Sequence, residues 1–588
     1  MLKMCYNRSM TNNKGLIMGS KKWKLTRANI SSEVEELRRQ HNLPRPIALY
    51  FAAREITAKQ VAGFLNPQLR NLSDPYRFPG IEKAAARIWQ AIANNEHILI
   101  HGDYDTDGIT GSALLSLVLR RNGAKVSSFI PHRFDDGYGF TPESLHKALA
   151  IFGPCQVLIT VDCGITSVDA VAEAVNMNID TIITDHHEAG NELPEALAVI
   201  NPKIYPELED MHILSGAGTA FKLSHAFIKY GRENNLGGFT THLEDVLDYV
   251  ALGTVADIVP LLGENRIMVK YGIDILKKQF RPGIRALIES SKLKNDLSPS
   301  DITFKLAPRI NAAGRVGDAN IALQLLESDN IVEAYRFAGE LENYNRTRQD
   351  KEQEIYQEAR TQLENNSQLQ NNYALLVAGK NWHQGVIGIV ASRLARDFNR
   401  PTIVLSIQDD GVAYGSGRSI GSLNLVAALS RTAPLLERYG GHPMAVGIGV
   451  KADLIEAFYE EFEQHVREQM SEADLEEFTA YDGECTIHEL DSEFFDYLNE
   501  LAPFGHGNQK PVYRFNELEV VRAFPVGQRH TRGILQDRYR NQIEFIAFKI
   551  MPEEFMHGTV DVLATPQINS YMNTDRVQLN ICDVRLSY

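Results

Sequence analysis

The sequence predicts an α/β protein whose first large unit is a doubly wound parallel sheet. Between residues 97 and 200, short runs of apolar and β-branched residues alternate with amphipathic, helix-like stretches. This alternation is typical of parallel sheets that are covered by helices on both faces. The predicted strands lie at residues 97–101, 157–161, 181–184 and 198–200.

A helical lead-in over residues 26–95 precedes this sheet. Its apolar residues recur at helical spacing, and they include Val34, Leu37, Ile81, Ala85, Ile88 and Ile92. Gly123, which follows the apolar stretch 109–122, is a typical helix stop.

A second α/β unit begins near Tyr373, with predicted strands at 374–378 and 402–406 on either side of a helix over 386–397. The stretch 331–366 between the two units is rich in Glu, Arg and Gln and contains no Pro. Its thin apolar stripe predicts a bridging helix. β-like runs return at 518–524, 544–550 and 559–564, which predicts a small β-barrel at the C-terminus.

These patterns divide the chain into five predicted segments. They are an N-terminal extension with the helical lead-in (1–76), the first α/β domain (77–330), the connecting helix (331–370), the second α/β domain (371–470) and the β-barrel (471–588).

The composition favours a multidomain enzyme of the cytoplasm. The chain has 588 residues, and 60 Lys and Arg against 75 Asp and Glu give a formal net charge of −15. This acidic total disfavours a general nucleic-acid coat protein but allows a local basic groove. No run approaches the ~18 apolar residues of a membrane span, so no membrane is expected. The five Cys form no CxxC pair, which favours a reducing compartment and disfavours structural zinc.

Acidic and imidazole side chains follow three of the predicted strands. The first strand leads into His101, Asp103, Asp105 and Asp107, which alternate along the chain. Because alternate residues of an extended chain point to the same side, we expect these four to converge at the strand's carboxyl end. Ligands bind at that end of α/β sheets. The next strands lead into Asp162 and into Asp185-His186-His187, and Asp257 ends a further apolar stretch.

This set of side chains predicts a site for two divalent cations. Mixed Asp and His ligands suit Mn²⁺ or Mg²⁺ better than structural zinc. Two ions ~3.5–4 Å apart, bridged by one Asp, activate water and stabilise both oxygens of a phosphoryl displacement. Asp185 is either a ligand or a residue that orients a neighbouring His. An EF-hand is excluded because its twelfth position would be Leu114, and a phosphate-binding P-loop motif is absent.

The motifs DYDTDG (103–108), TVDCG (160–164) and DHH (185–187) resemble the DHH phosphoesterase superfamily. The resemblance continues through residues 253–261, 307–315, 382–394, 415–419, 440–447 and 503–513. In this order the motifs are similar to those of the superfamily's single-strand-specific 5′→3′ exonucleases, from about residue 77 to the end. Cys163 stands where Asn is common, and Gln509-Lys510 replaces an expected Pro-Glu.

The resemblance implies a DHH catalytic domain, a long connecting helix, an α/β DHHA1 domain and a C-terminal OB-fold. It also implies two bound cations, Mn²⁺ or Mg²⁺, with Asp162 as the bridge. Asp103, Asp185 and His187 would serve catalysis, Asp103 as a ligand or close neighbour and His187 at the scissile phosphate or in proton transfer. The implied ligands are His101, Asp105, Asp107, Asp162, His186 and Asp257.

The same resemblance suggests residues that hold the substrate. Arg133 would hold a terminal phosphate, the loop with Ser416, Arg418 and Ser419 would cradle it, and His442 would contact the nucleotide backbone. A solvated Arg, a tight turn and a core His are the alternatives. Arg309, Asn311 and Arg315 are candidates for the channel that leads to the cut, and a structural ion pair is the alternative for Arg309 and for Arg315. A candidate platform for single-stranded DNA comprises Arg529, Arg532, Tyr539 and Phe545.

The predicted function is a single-stranded-DNA-specific 5′→3′ exonuclease that releases mononucleotides and acts in DNA repair and recombination. Expected partners are a DNA strand with a 5′ end, a single-stranded-DNA-binding protein and a helicase, and the enzyme is expected to be a monomer. One alternative is a DHH phosphodiesterase of short oligonucleotides or cyclic dinucleotides, which would lack the segment after Met470. Another is a non-catalytic scaffold, which need not keep its ligands.

Overall fold

The computed structural model describes residues 21–587, apart from 134–135, 138, 294–295, 367–370, 422, 528, 556–557 and 572–573. The chain forms two compact units. One comprises residues 63–465 and 501–510, and the other comprises the described residues up to 62, residues 466–500 and those from 511 onward.

The described part of the chain begins with one short strand, which is followed by four α-helices. The predicted helical lead-in is confirmed, because Val34 and Leu37 are buried in α1 and Ile81, Ala85 and Ile88 in α4. The elements are β1 (Lys22–Leu25), α1 (Ser31–His41), α2 (Arg45–Ala53), α3 (Ala58–Leu65) and α4 (Ile81–Ala93).

The first sheet has five parallel strands in the order β3-β2-β4-β5-β6, which confirms the predicted doubly wound sheet. The order reverses between β2 and β4, and ligand sites of open α/β sheets lie at such a switch point. The elements are β2 (His97–Gly102), α5 (Thr106–Arg121), β3 (Lys125–Phe129), α6 (Pro142–Phe152), β4 (Val157–Val161), α7 (Val168–Asn176), β5 (Asp180–Thr184), β6 (Ala198–Ile200) and α8 (Gly216–Glu233).

A helical layer completes the first domain and leads to the connecting helix. The predicted bridging helix is confirmed as a 35-residue α-helix that packs on α11, α13 and α14. The elements are α9 (Leu247–Ala256), α10 (Gly263–Lys278), α11 (Pro282–Ser290), α12 (Pro299–Asp301), a π-helical turn (Ile302–Leu306), α13 (Ala307–Val316), α14 (Asn320–Glu327) and α15 (Ile331–Asn365).

The second α/β domain has a mixed sheet in the order β10-β11-β9-β8-β7, in which β7 and β8 pair in parallel. Both predicted strands and the helix between them are present. The elements are β7 (Leu375–Lys380), α16 (Gln384–Phe398), β8 (Thr402–Ile407), β9 (Val412–Arg418), α17 (Leu425–Arg431), β10 (Leu436–His442), β11 (Ala445–Lys451) and α18 (Ile455–Gln469).

The other unit contains a closed β-barrel, as predicted. The sheet runs β13-β14-β15-β16-β18-β17 and closes through pairing of β14 with β17, while β1 pairs in parallel with β12. The elements are β12 (Phe478–Tyr481), β13 (Gly483–Glu484), α19 (Ser492–Glu500), β14 (Tyr513–Val526), β15 (His530–Gln536), β16 (Gln542–Phe548), β17 (Thr559–Tyr571) and β18 (Thr574–Leu586).

Single-turn 3-10 helices occur in the connections. They lie at Leu69–Asn71, Pro75–Arg77, Pro202–Ile204, Pro206–Met211, Leu243–Val246, Ala433–Leu435, Ala452–Leu454, Glu472–Leu475, Ile487–Glu489 and Pro552–Phe555. In the described part of the chain, no helix combines the length and the apolarity that a bilayer crossing requires.

The crossing of α9 and α10 depends on Gly272. A Cβ at this position would overlap the backbone carbonyl oxygen of Leu247. We therefore expect Gly272→Ala to destabilise the protein by ~1–3 kcal/mol, as overpacking does. Gly339→Ala is the matched control, because a Cβ there meets no atom within 4 Å. This change should stabilise α15 by about 0.5–1 kcal/mol. Thermal unfolding of both variants tests the expectation, and equal melting temperatures would contradict it.

Candidate active site

The first carboxylate motif lies where β2 gives way to α5. The strand ends at Gly102, and Asp105 is the N-cap of the helix, with Oδ1 accepting from the backbone N–H groups of Asp107 (2.9 Å) and Gly108 (3.2 Å). The expectation of a continuous extended chain is therefore wrong beyond Gly102. The chain turns into a helix at this point, so the alternation of side chains stops with it.

The imidazole of His101 contacts Ser144 and Cys163. Its ring is fully buried, with Nε2 3.0 Å from the Ser144 hydroxyl and Nδ1 3.9 Å from Cys163 Sγ. Burial lowers the pKa of His101 to about 4. Asp103 forms a group of potential ligands with Asp105 and Asp162, and His101 belongs to none of the groups found among the described residues.

Asp107 and Asp162 are placed by the first turn of α8. The Asp107 carboxylate accepts backbone hydrogen bonds from Gly216 (2.6 Å) and Ala217 (2.9 Å), where the helix dipole favours negative charge. Asp162 follows β4 with a positive φ of 62°. A Cβ at Gly216 would lie 2.5 Å from the Asp162 Cβ, so a glycine is required for this approach.

Asp185 organises the loop after β5. Its carboxylate accepts from the backbone N–H groups of Ile165 (2.9 Å), His186 (2.7 Å) and His187 (3.1 Å), and its Oδ1 lies 2.8 Å from His187 Nδ1. Burial alone would raise the pKa of Asp185, but the His187 hydrogen bond and charge, with the backbone donors, lower it. Asp185 therefore orients the two histidines.

Three overlapping groups of ligand atoms result, and within each group the atoms lie within 4.8 Å of one another. Asp162 and His186 each belong to two groups. His186 Nε2 lies 3.1 Å from Asp162 Oδ1, 3.6 Å from Asp257 Oδ2 and 3.9 Å from Asp107 Oδ2. The groups are Asp103 with Asp105 and Asp162, Asp162 with His186 and His187, and Asp107 with His186 and Asp257.

The cluster is electrostatically incomplete without cations. Asp103 Oδ1, Asp162 Oδ1 and His186 Nε2 are buried and have no hydrogen-bond partner, a costly arrangement for polar groups. Burial and the repulsion of neighbouring carboxylates raise the pKa values of Asp107 to about 7, Asp103 to about 8 and Asp257 to about 9. These oxygen donors with one imidazole fit Mg²⁺ or Mn²⁺.

The two histidines of the DHH motif differ in charge. Burial and the charge of His187 lower the pKa of His186 to about 3, so its Nε2 is a neutral ligand atom. Burial opposes the charge of His187, but the Asp185 hydrogen bond and nearby carboxylates outweigh it and raise its pKa to about 9. The His187 ring also lies 6.3 Å from the nearly parallel ring of His442, at the end of β10.

The structure brings four of the predicted substrate residues together. Arg418 Nη1 donates to Ser416 Oγ (2.9 Å), and the Arg133 guanidinium lies 5.2 Å from the Tyr104 ring centre. Burial and the charge of Arg133 lower the pKa of Arg418, and they lower that of Arg315 to about 10. None of these three arginines forms an ion pair in the described part of the chain. Together they form a cationic cluster suited to an anion.

Three other predicted substrate residues have partners within the protein. Arg309 pairs with Glu342 (2.7 Å) and so joins α13 to α15. This is the structural ion pair that the sequence left open as the alternative. The Ser419 hydroxyl donates to the carbonyl oxygen of Leu423 (2.8 Å). Asn311 Oδ1 accepts from the backbone N–H and the hydroxyl of Thr106, both at 2.8 Å. Asn311 thereby fixes the loop that carries Asp105 and Asp107.

The barrel differs from the predicted platform at two positions, since Arg532 is paired with Glu544 (2.8 Å). Phe545 is fully buried in the barrel core and cannot stack on a base, whereas Tyr539 is exposed. On the outer face of β14, β15 and β16, the exposed side chains Phe524 and Phe548 lie on either side of His530 and Arg532.

Sequence reasoning missed two residues near the site. His383 is the N-cap of α16, with Nδ1 accepting from the Gly385 N–H (3.2 Å), and the charges of Lys351 and Arg133 help burial to lower its pKa. Its signal was a His directly before a predicted helix. Lys203 lies close enough to Asp257 for its charge to lower that pKa, and no sequence pattern marked it.

Sequence models of three known domains match the chain. They are the DHH family N-terminal domain (97–254), the DHHA1 domain (370–468) and the RecJ OB domain (481–583). With the parallel sheet and its carboxylate–histidine cluster, they define a phosphoesterase of the DHH class.

Comparison with individual relatives identifies the family within this class. The single-stranded-DNA-specific exonuclease RecJ of Bacillus subtilis is 33% identical over 97% of this chain and 72% of its own length. Crystal structures of RecJ from Thermus thermophilus cover 96% of this chain. The Mn²⁺ complex is 28% identical in sequence, with a TM-score of 0.81, and 80% of its chain is covered. The Mg²⁺ complex is 27% identical, with a TM-score of 0.76, and 79% of its chain is covered. The chain belongs to the RecJ family of single-stranded-DNA-specific exonucleases.

The raised pKa values predict how metal-free protein responds to pH. The pKa of an Asp in the unfolded chain is near 4, whereas the pKa values of Asp103, Asp107 and Asp257 in the folded protein are about 7 to 9. At a pH between these values, the folded protein holds protons that the unfolded chain has released. His187 acts in the same direction between 6.5 and about 9. Stability should therefore fall as the pH rises from 7 to 9 in EDTA, and Mn²⁺ should remove much of this slope.

Thermal unfolding at four pH values, with EDTA or with Mn²⁺, is the measurement. Asp162→Asn removes one charge from the cluster and should flatten the slope in EDTA. Asp169→Asn, at an exposed carboxylate on α7, is the control and should not. A melting temperature in EDTA that is constant or rises over this range would contradict the description of the site.

Proposed function

We propose that the protein degrades single-stranded DNA from its 5′ end, releases mononucleotides by divalent-cation-dependent hydrolysis, and acts in DNA repair and recombination. One observation carries the proposal. A carboxylate cluster that needs cations lies in the same compact unit as a pocket of arginines that have no carboxylate partner. A phosphodiester strand with a terminal phosphate is complementary to both.

Two cations fit the overlapping ligand groups. We assign Asp103, Asp105 and Asp162 to one ion, and Asp107, Asp162, His186 and Asp257 to the other. Asp162 is common to both, as expected from the sequence, while Asp103 replaces His101 in the ligand set. The bound cations supply positive charge that activates water and stabilises the attacking and leaving oxygens.

His187 and Asp185 act as a pair in this proposal. His187 is protonated at neutral pH and half-exposed beside the ligand groups, so it can donate a hydrogen bond to a phosphate oxygen or a proton to the leaving oxygen. Asp185 is a positioning residue, because it holds His187 through the 2.8 Å contact at Nδ1.

The arginine pocket is proposed to bind the 5′-phosphate. Arg133, Arg315 and Arg418 supply planar donors that match phosphate geometry, and Ser416 adds a hydroxyl. His442, close to His187, is placed to contact the backbone near the cut. Contacts of this kind recognise the backbone without reading the bases.

The barrel is proposed to add a platform for single-stranded DNA. Exposed Phe524 and Phe548 offer stacking surfaces on either side of His530, whereas Arg532 beside them is paired with Glu544 (2.8 Å). This replaces the predicted set that included Phe545.

Several finer features complete the proposal. The segments 77–330, 371–470 and 471–588 are proposed as the DHH, DHHA1 and OB-fold domains, after an N-terminal segment (1–76) and around a connecting helix (331–370). The enzyme is proposed to act in the cytoplasm as a monomer, with a single-stranded-DNA-binding protein and a helicase as partners. Light scattering tests the monomer, and pull-down with each purified partner tests the rest.

The decisive variant is Asp162→Ala. Wild-type protein with Mn²⁺ should shorten a 3′-labelled single strand from its 5′ end and leave a blunt duplex intact. Asp162→Ala should lose cleavage by at least a thousandfold, because both ligand groups lose their shared carboxylate, and should still bind the strand in EDTA. Products are resolved on denaturing gels. Cleavage of a dinucleotide alone would favour the small-substrate phosphodiesterase, and binding without cleavage by the wild type would favour the scaffold.

Arg418→Ala tests the terminal pocket. If it holds the 5′-phosphate, wild-type protein prefers a 5′-phosphorylated strand to a 5′-hydroxyl strand, and the variant loses this preference with a tenfold or larger rise in KM. Arg396→Ala is the control, since its side chain is 75% exposed on α16. An unchanged preference in Arg418→Ala would overturn the assignment of the pocket.

A further inference from the structure

The face of the second sheet that carries Ser416, Arg418 and His442 continues beyond them. In β9, Tyr414 lies two residues before Ser416, and in β10, Arg438 lies four residues before His442. Alternate residues of a strand share one face, so both belong to the face on which the proposed substrate residues lie.

Arg438 and Tyr414 form a stacked pair on this face. Both are register partners of Gly449 on the strand between them, and the Arg438 guanidinium carbon lies 4.8 Å from the Tyr414 ring centre. A Cβ at Gly449 would come within 3.0 Å of Arg438 Cγ, so the side chain of Arg438 crosses the strand above this glycine.

The guanidinium of Arg438 contacts this ring. It is exposed and forms neither an ion pair nor a hydrogen bond in the described part of the chain. A guanidinium over an aromatic ring can offer its other side to a further planar group. The chain has an excess of acidic residues, yet none of those described pairs with Arg438.

The surface between this pair and the site is open. Gly440 and Gly447 are register partners, and neither has a positive φ. A Cβ on either would meet no atom within 4 Å. By contrast, Gly417, on the opposite face, leaves a Cβ only 2.6 Å from Val446. The fold therefore requires a glycine at 417, whereas it has room for a side chain at 440 and 447.

We propose that Arg438, supported by Tyr414, is a stacking platform for one nucleobase of the bound strand, across the open surface of Gly440 and Gly447. This inference rests on the proposed function. At ~3.3 Å per residue, Arg438 lies about 13 Å along β10 from His442, so it serves a nucleotide beyond the one being released. Because every base has a π-face, the platform is tolerant of sequence.

The experiment measures binding of full-length protein to single-stranded DNA in EDTA, with 2-aminopurine placed in turn at each of the first six positions. Wild-type protein should change the fluorescence most strongly at one position a few nucleotides from the 5′ end. Arg438→Ala should abolish this change and weaken binding about five- to a hundredfold. Arg438→Lys, which keeps the charge and loses the plane, should resemble Arg438→Ala. Arg396→Ala, an exposed arginine on α16, is the control and should bind like the wild type.

Gly447→Val tests the open surface independently. Its melting temperature should match the wild type, because the fold has room at this position, while strand binding weakens and the 2-aminopurine change is lost. A dinucleotide is too short to reach the platform, so its hydrolysis with Mn²⁺ should be the same in the wild type and in Arg438→Ala.

The outcomes separate the two proposals. If the wild type does not degrade the strand from its 5′ end, the proposed function fails. If it does, and Arg438→Ala binds as tightly as the wild type, the stacking platform alone is overturned. Restoration of binding by Arg438→Lys would likewise reduce the role of Arg438 to charge and overturn stacking.

Discussion

The mutual repulsion of five buried or half-buried carboxylates is the constraint on which the catalytic domain depends. Asp107, Asp162 and Asp257 lie around the neutral imidazole of His186, and Asp162 also lies beside Asp103 and Asp105. Repulsion among these carboxylates, with burial, raises the pKa of Asp162 well above its ordinary value. The fold tolerates this crowding because the N-terminus of α8 holds the Asp107 carboxylate and a glycine leaves room for Asp162. Both loops lie at the switch point of the parallel sheet, where two strand ends diverge and a ligand can enter.

The second α/β domain supplies the opposite charge. Arg418 joins Arg133 and Arg315 of the first domain, and burial together with the charge of Arg133 lowers the pKa values of Arg315 and Arg418. One compact unit therefore contains an anionic cluster that attracts cations and a cationic cluster that attracts anions. In the proposed function, a phosphodiester strand engages both at once, with its backbone near the cations and its end at the arginines. α13 links the carboxylate loop to the connecting helix, because Asn311 accepts a hydrogen bond from Thr106 and Arg309 pairs with Glu342.

Most of the fold was predictable because its strands are apolar runs that end in chemically distinctive residues. The strand β3 (Lys125–Phe129) was not, since KVSSF at the sheet edge lacks a continuous apolar run. Within the site, Asp162, His186 and Asp257 were predictable from the ends of elements. The contacts of His101 with Ser144 and Cys163 were not, because they depend on tertiary packing. The Arg438–Tyr414 pair was also beyond the sequence, because it depends on the register of three strands.

The central claim is that Asp162 joins two cation sites. The most direct test is to measure Mn²⁺ binding to the full-length protein. Calorimetry gives the number of bound ions, and electron paramagnetic resonance shows whether they are magnetically coupled. We expect two Mn²⁺ per chain with a spectrum of magnetically coupled ions. In Asp162→Asn we expect at most one ion of high affinity, without coupling. A single uncoupled Mn²⁺ in the wild type, or an unchanged spectrum in Asp162→Asn, would contradict the account.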